Sequence, residues 1–561
     1  MSQKVNEQAI SRIASVGLLG VTLIVWTPGL TEPVGMPKLA ILAPLSLILF
    51  GLLLPGIKGH TNKNKVATAL LLAFVSWLGI AALMSSNPLS RSIYGVEARN
   101  TGWLTYASLS LTMFVMLFLK KQQSLQKIYW TFLVTGLVNV TYSAMVMITG
   151  KDPIPWNNTY GTILGTFGNP NFISSFLGFF GTALFILMLS PQRPIWVRVV
   201  ALVGIAIAGI EIIETNSIQG VVVLALGMGL SLGVFIKTRL NNSKVTVAYF
   251  LTLFVSALIG IFGTLQKGPL SSVLYKDSVS FRGEYWFAGL RMIRENPLFG
   301  LGPDSYGNWY RQYRDLSSTI RPGVETTANT AHNVFIDIGV SGGAPVLAIY
   351  MTICVLVIVK IVRVFQKSSQ FEPLFWTFAI VWICYQAQSL ISINQIGLAI
   401  WGWVFAGLVL SYNDESLSKV ADGPQITKTK NVKVTTSDSG AGVVFAAIGG
   451  LAGILIVIPP ISSDHDWRTG LQVSDANVLD QALEKWPRES NRLVIGSSIF
   501  ANNNLNDFAL KFARLAVQHD PNNFDSWRIL GKTPGATAEE VQKAAQEMMR
   551  LDPLNPNIKN K

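Results

Sequence analysis

The chain has little charge and almost no cysteine. Only 13% of its 561 residues are Asp, Glu, Lys or Arg, whereas a soluble chain carries about 25%. That shortfall excludes an ordinary water-soluble fold, and half of the sequence is hydrophobic. Two cysteines, Cys354 and Cys384, do not make a disulfide framework. Both lie in apolar runs, where a thiol acts as a small hydrophobe. The outer loops at 85–101, 150–170 and 264–334 contain no DxD and no clustered His/carboxylate pattern, so nothing in them demands a divalent metal, and no cofactor is expected.

What the chain has is long apolar runs. They fall at 10–27, 37–57, 66–84, 102–119, 127–149, 171–190, 195–214, 219–236, 245–263, 335–360, 373–393, 396–412 and 441–460. A run of roughly 17–25 such residues crosses a hydrocarbon core of about 30 Å. The spacing predicts an all-α polytopic membrane protein with 12 or 13 spans. The ambiguity sits in 373–412, where "SLISINQIG" is the only turn signal.

The formal charge of +13 is a topological signal and does not call for a nucleic-acid partner. Basic residues gather in alternate short loops: Lys58, Lys63 and Lys65; Lys120, Lys121 and Lys127; Arg193 and Arg198. The series continues through Lys237, Arg239 and Lys244, then Lys360, Arg363 and Lys367, then Lys419, Lys428, Lys430 and Lys433. The positive-inside rule places these loops and the N-terminus in the cytoplasm, with the protein in the cytoplasmic membrane. Segments 85–101, 150–170, 264–334 and everything after 460 are then outside it.

This gives a membrane domain over 1–412 with a large outer loop at 264–334, a polar linker at 413–440, a last span at 441–460 and an outer tail at 461–561. The tail repeats itself. "ALEKWP", "AVQHDP" and "MMRLDP" end at Pro487, Pro521 and Pro553, each proline closing an amphipathic helical pattern. A period near 34 resembles the tetratricopeptide repeat, and its alanine is Ala482, Ala516 and then Met548. Such repeats bind polypeptide, so a protein partner or a protein acceptor is an expectation for the tail.

The outer loop holds "FRGEYWFAGLRMIRENPLFGLGPDSYGNWYRQYR" (281–314) and "TTANTAHNVFIDIGVSGGAPVL" (326–347). Together with "YGVEARNTGWLTY" (94–106), "GTFGNPNFISSFLG" (165–178) and "TNSIQG" (215–220), these motifs resemble the O-antigen ligase and polymerase superfamily over residues 10–412. The resemblance implies an inverting, metal-independent membrane glycosyltransferase that takes a glycan from a polyprenyl-diphosphate carrier. The acceptor in that superfamily is a lipid-anchored saccharide, a growing glycan polymer or a protein hydroxyl. His332 and Arg282 are the implied catalytic residues, and Asn333, Glu284, Trp286 and Asp304 the implied substrate-binding ones. Family members often carry arginine where this chain has Ile218. Arg99 is the substitute cation expected here.

Elementary chemistry agrees with those assignments. A lipid-linked diphosphate sits at the membrane interface, where span meets outer loop. Arginine binds phosphate oxygens in bidentate fashion and stays charged. A histidine of pKa about 6.5 can accept a proton from a hydroxyl. Arg311, Arg314 and Arg321 read as solvated loop charges, and "GLG" at 300–302 as a turn after Pro297. The rival reading is a transporter of a polysaccharide precursor or small solute. Ion-coupled transport favours ionisable groups near the bilayer midplane, whereas Glu211 and Glu214 lie toward the end of their span.

Overall fold

The computed structural model describes residues 6–59, 64–155, 157–264, 266–269, 271–274, 277–413 and 439–559. Every expected apolar run is a helix: α1 (Glu7–Leu23), α2 (Gly35–Leu53), α3 (Lys65–Met84), α4 (Trp103–Met116), α5 (Gln122–Thr149) and α6 (Pro170–Leu189). The series continues with α7 (Ile195–Glu214), α8 (Ile218–Leu240) and α9 (Ser243–Thr264). The 264–334 loop contributes α10 (Asp277–Glu295) and α11 (Tyr306–Tyr313). Then come α12 (Val334–Lys367), α13 (Pro373–Ser389), α14 (Ile396–Ser411) and α15 (Ser439–Gln472). No strand occurs among the described residues. Among them, nine helices are long and apolar enough to cross a membrane, and α4 and α14 are shorter apolar helices. The chain is a multi-pass helical membrane protein.

Local signals set the helix starts. Asn169 caps α6 by accepting from Asn171 N at 2.9 Å, with Pro170 in the first turn. Gln395 does the same for α14, which separates it from α13 at the "SINQ" turn. Between helices, an aromatic core of Phe132, Phe176, Trp401 and Phe405 fills the bundle centre. The free thiols Cys354 and Cys384 are buried, as small hydrophobes would be.

The last long helix, α15, belongs to the bundle. It lies along α2 through small residues. A Cβ at Gly51 would stand 2.5 Å from Phe445 O, and one at Gly449 would stand 2.6 Å from Leu47 O. Backbones approach this closely only where side chains are absent, the usual way apolar helices associate in lipid.

The connections sort to two ends. At one end Thr166 donates to Thr22 O, Ser217 to Asn171, Arg468 to Thr27 O, Asn394 to Tyr106 and Arg99 to Asn329 O. At the other, Lys237 reaches Ser368 O, Lys360 reaches Tyr412 O, and Glu7 accepts from the backbone of Lys120 and Lys121. The lysine-rich connections thus share one end, as their alternation along the sequence requires. The expected linker lies almost wholly outside the described residues, at 414–438.

The tail, α16 (Ala476–Glu484), α17 (Ser490–Asn502), α18 (Asn506–His519), α19 (Phe524–Leu530) and α20 (Ala538–Leu551), stacks on the end opposite the lysine-rich loops. Its cores run from Trp467, Leu483, Leu493, Phe500 and Phe512 to Phe524, Trp527, Ala544 and Leu551. The repeat alanines Ala482 and Ala516 are buried in it.

Candidate active site

The 264–334 loop takes its shape where two glycine-bearing turns meet. Gly343 has φ +74°, which breaks the helical path of α12, and a Cβ there would stand 2.5 Å from Leu298 O. Into that kink bonds the "NPLFGLG" segment. Ala344 N donates to Pro297 O at 2.8 Å, and Leu301 N donates to Val340 O at 2.7 Å. Gly300 and Gly302 both take positive φ, so the expected turn after Pro297 is there. Trp77 Nε1 adds a bond to Leu298 O at 3.0 Å. Behind this clasp, Ala288 and Met292 of α10 pack on Tyr306, Tyr310, Ala331 and Ile336.

His332 sits immediately before α12 and is held from three sides. Its backbone is in the left-handed region at φ +52°, an unusual state for a non-glycine residue. Its N–H donates to Thr330 Oγ1 at 3.1 Å, and Ala331 N donates to Asp337 Oδ1 at 2.8 Å. Asn333 caps α12 by accepting from Phe335 N and Ile336 N at 3.0 and 3.2 Å. The imidazole lies 5.8 Å from the Tyr285 ring, which is itself set by Tyr306 Oη donating to Tyr285 O at 2.7 Å. Burial first, then the guanidiniums of Arg282 and Arg99, push the His332 pKa down to about 4. At neutral pH this imidazole is uncharged and open to a proton.

Arg282 comes from α10 and is buried. Burial lowers its pKa, with Tyr285 one turn away pulling the other way. No carboxylate among the described residues pairs with it. Arg99 is different: it binds Asp304 at 2.6 Å and Asn329 O at 2.8 Å, so its charge is already met. The loop thus brings a neutral base and an uncompensated cation to the end of a membrane helix.

Residues 173–351 match the O-antigen ligase family model. The match runs from α6 into α12 and takes in the clasp, Arg282 and His332. No curated protein matches the chain.

Within the matched segment, the other expected site residues divide by what already occupies them. Asp304 is engaged by Arg99 and also accepts from Val96 N at 2.7 Å, so it orients Arg99. Glu284 accepts from Ser317 and Ser318 at 3.0 and 3.3 Å, tying α10 to the far side of the loop. The Asn333 carbonyl oxygen is spent on its cap. Trp286 packs against the loop core, and its indole N–H has no partner among the described residues. Tyr285, Thr330 and Asp337 were not singled out from sequence. A signal existed for Asp337, an acid in the first turn of an apolar helix five residues after His332.

The reading of Arg311 and Arg314 as solvated charges is overturned. Both are buried, and both bind Asp552 of the tail, at 3.0 and 2.7 Å. In the preceding repeat Asp520 binds Arg91 at 2.7 Å and accepts from Asn308 at 2.9 Å. The Asp-Pro pairs of "HDP" and "LDP" are therefore equivalent anchors, each holding arginine from the membrane domain. In the first copy Trp486 replaces the acid, and its ring packs edge-on at 5.9 Å against Tyr94.

Proposed function

We propose that this protein transfers a glycan from a polyprenyl-diphosphate carrier to an acceptor hydroxyl at the outer face of the cytoplasmic membrane, with inversion and without a metal. The observation that carries the reading is the neutral His332 beside the unpaired Arg282, within the O-antigen ligase match. His332 takes the acceptor proton as the acceptor oxygen bonds to the anomeric carbon. The bond from that carbon to the diphosphate oxygen breaks, and the pair of electrons leaves with the polyprenyl diphosphate. Arg282 meets the charge that develops there. The tail's contacts with the outer loop favour a recruiting or positioning role beside the site.

The test is transfer by the purified, membrane-reconstituted protein from lipid-linked glycan, read as released polyprenyl diphosphate and glycosylated acceptor. His332→Ala is expected to lose about 10²–10⁴ in rate. Arg282→Lys keeps the charge but loses the bidentate fork, and is expected to fall substantially as well. Arg294→Ala, an exposed arginine on the same helix, is the control. Correctly inserted His332→Ala turning over within about threefold of wild type would falsify the assignment.

A further inference from the structure

The tail and the outer loop enclose a polar cavity of about 120 Å³ that the catalytic pair does not use. Its size is on the order of the roughly 150 Å³ cavity that admits one six-membered ring. Asn308 and Asn329 line it from the loop side, and Asn491 and Asn523 from the tail. Their hydrogen-bonding capacity is only part-used. Asn308 Nδ2 donates to Asp520, leaving its carbonyl oxygen, and Asn523 Oδ1 accepts from Ser526 N at 3.1 Å, leaving its NH₂. Asn329 and Asn491 are exposed, with side chains in no hydrogen bond among the described residues. Arg91, 5% exposed, also lines the cavity, and its Nε and Nη1 have no hydrogen-bond partner among the described residues.

The charge balance decides what such a cavity takes. Each cation in its wall is already matched: Arg91 by Asp520, Arg99 by Asp304, and Arg311, which shares Asp552 with Arg314, by Glu325 as well at 3.9 Å. No net positive charge remains to hold a diphosphate. Amides offer a donor and an acceptor side by side, and a sugar hydroxyl is both. Arg99 and Asp304 also line a smaller cavity bounded by Thr330 and Asp337, the residues that brace His332. The two spaces therefore share a wall beside the catalytic histidine.

We propose that this cavity is a subsite for an uncharged sugar ring of the glycan, several residues removed from the bond that reacts, and that the tail supplies half of it. The inference rests on the glycosyl-transfer reading above. The tail then senses the glycan itself, and the membrane domain alone holds an incomplete site.

The experiment uses the full-length protein in lipid nanodiscs. The probe is the oligosaccharide released by mild acid from the host's own lipid-linked glycans and labelled at its reducing end. Asn491→Trp, at an exposed position, fills the cavity from the tail side and is expected to weaken binding more than about tenfold. Asn329→Ala removes one amide from the opposite wall and is expected to cost about three- to tenfold, one net hydrogen bond. Arg294→Ala, at an exposed position, and added pyrophosphate should leave the affinity unchanged. No binding to wild type, or weakening by Asn491→Trp alone, overturns the subsite, the latter because it reports an undocked tail. Normal binding with no transfer from lipid-linked donor would leave the subsite standing and sink the functional reading. Normal transfer with oligosaccharide binding indifferent to both variants would do the reverse.

Discussion

Arg314 and Asp552, 238 residues apart, form a two-bond ion pair at 2.7 and 2.9 Å with neither side chain reaching solvent. Arg311 shares the same carboxylate at 3.0 Å and also lies 3.9 Å from Glu325, so two acids meet the two cations. Asp552→Ala would strand both guanidiniums out of water, where breaking a buried pair costs about 3–5 kcal/mol. The expected outcome is a tail that opens to protease in membrane-inserted protein while the helical bundle keeps its thermal transition. A tail as resistant as wild type would mean that the ion pair contributes little to docking.

His332 gives a pH signature. Its pKa is depressed from the ordinary 6.5 to about 4, so the neutral, proton-accepting form persists well below the usual histidine range. The acid limb of kcat/KM, which reports the free enzyme, is expected near pH 4 to 5. The stability linked to the neutral ring is complete above 6.5 and lost as pH falls through about 4. An acid limb at 6.5 would show that the imidazole is solvated in the resting enzyme.

Glu489 has the opposite sign. Burial raises its pKa to about 7, against the pull of Arg91 and Arg492 and with Glu97 adding to the rise. Its contribution to folding is complete below 4.5 and disappears as pH climbs through about 7. Glu489→Gln stays neutral and is expected to stabilise the protein at pH 8 by up to roughly 3 kcal/mol, and hardly at pH 5. Thermal melts at both values decide it; a variant less stable than wild type at pH 8 rejects the argument.

Gly343→Ala tests the clasp. The substitution combines a positive φ, which costs about 1–2 kcal/mol for an L-residue, with a methyl pressed on Leu298 O. Transfer should fall steeply as the "NPLFGLG" segment lifts from α12. Gly209→Ala, in open space on α7, is expected to be silent or slightly stabilising. Equal activity of the two variants would remove the kink from the account of the site.

Sidedness can be read with reporters. If lysine-rich loops mark the cytoplasm, a fusion within 414–438 reports cytoplasmic and one after residue 559 reports the opposite face. Both on one side would put the tail and the site in different compartments from those proposed.

The helices were legible because lipid imposes one rule, length in apolar residues, and nine helices among the described residues satisfy it locally. The "GLG" turn was legible for the same reason, since glycine announces positive φ wherever it falls. Arg311 and Arg314 were not, because burial of a charge depends on a partner far along the chain. The clue was periodic: Asp520 and Asp552 recur before proline at equivalent places, although nothing local says what they bind. Asp304 and Glu284 are expected from the sequence to bind substrate, and the fold gives them Arg99 and two serines as partners. Residue type fixes what a side chain can bind, and the fold decides whether that capacity is still free.

The Asp552 anchor also imposes an order of manufacture. The ribosome completes α10, α11 and α12 long before it reaches Asp552, 238 residues after Arg314. Until then both arginines must wait in water, on a loop with an open flank. The site therefore closes as a late event, and any nascent chain released before Asp552 would carry a well-inserted membrane bundle with an unsealed loop.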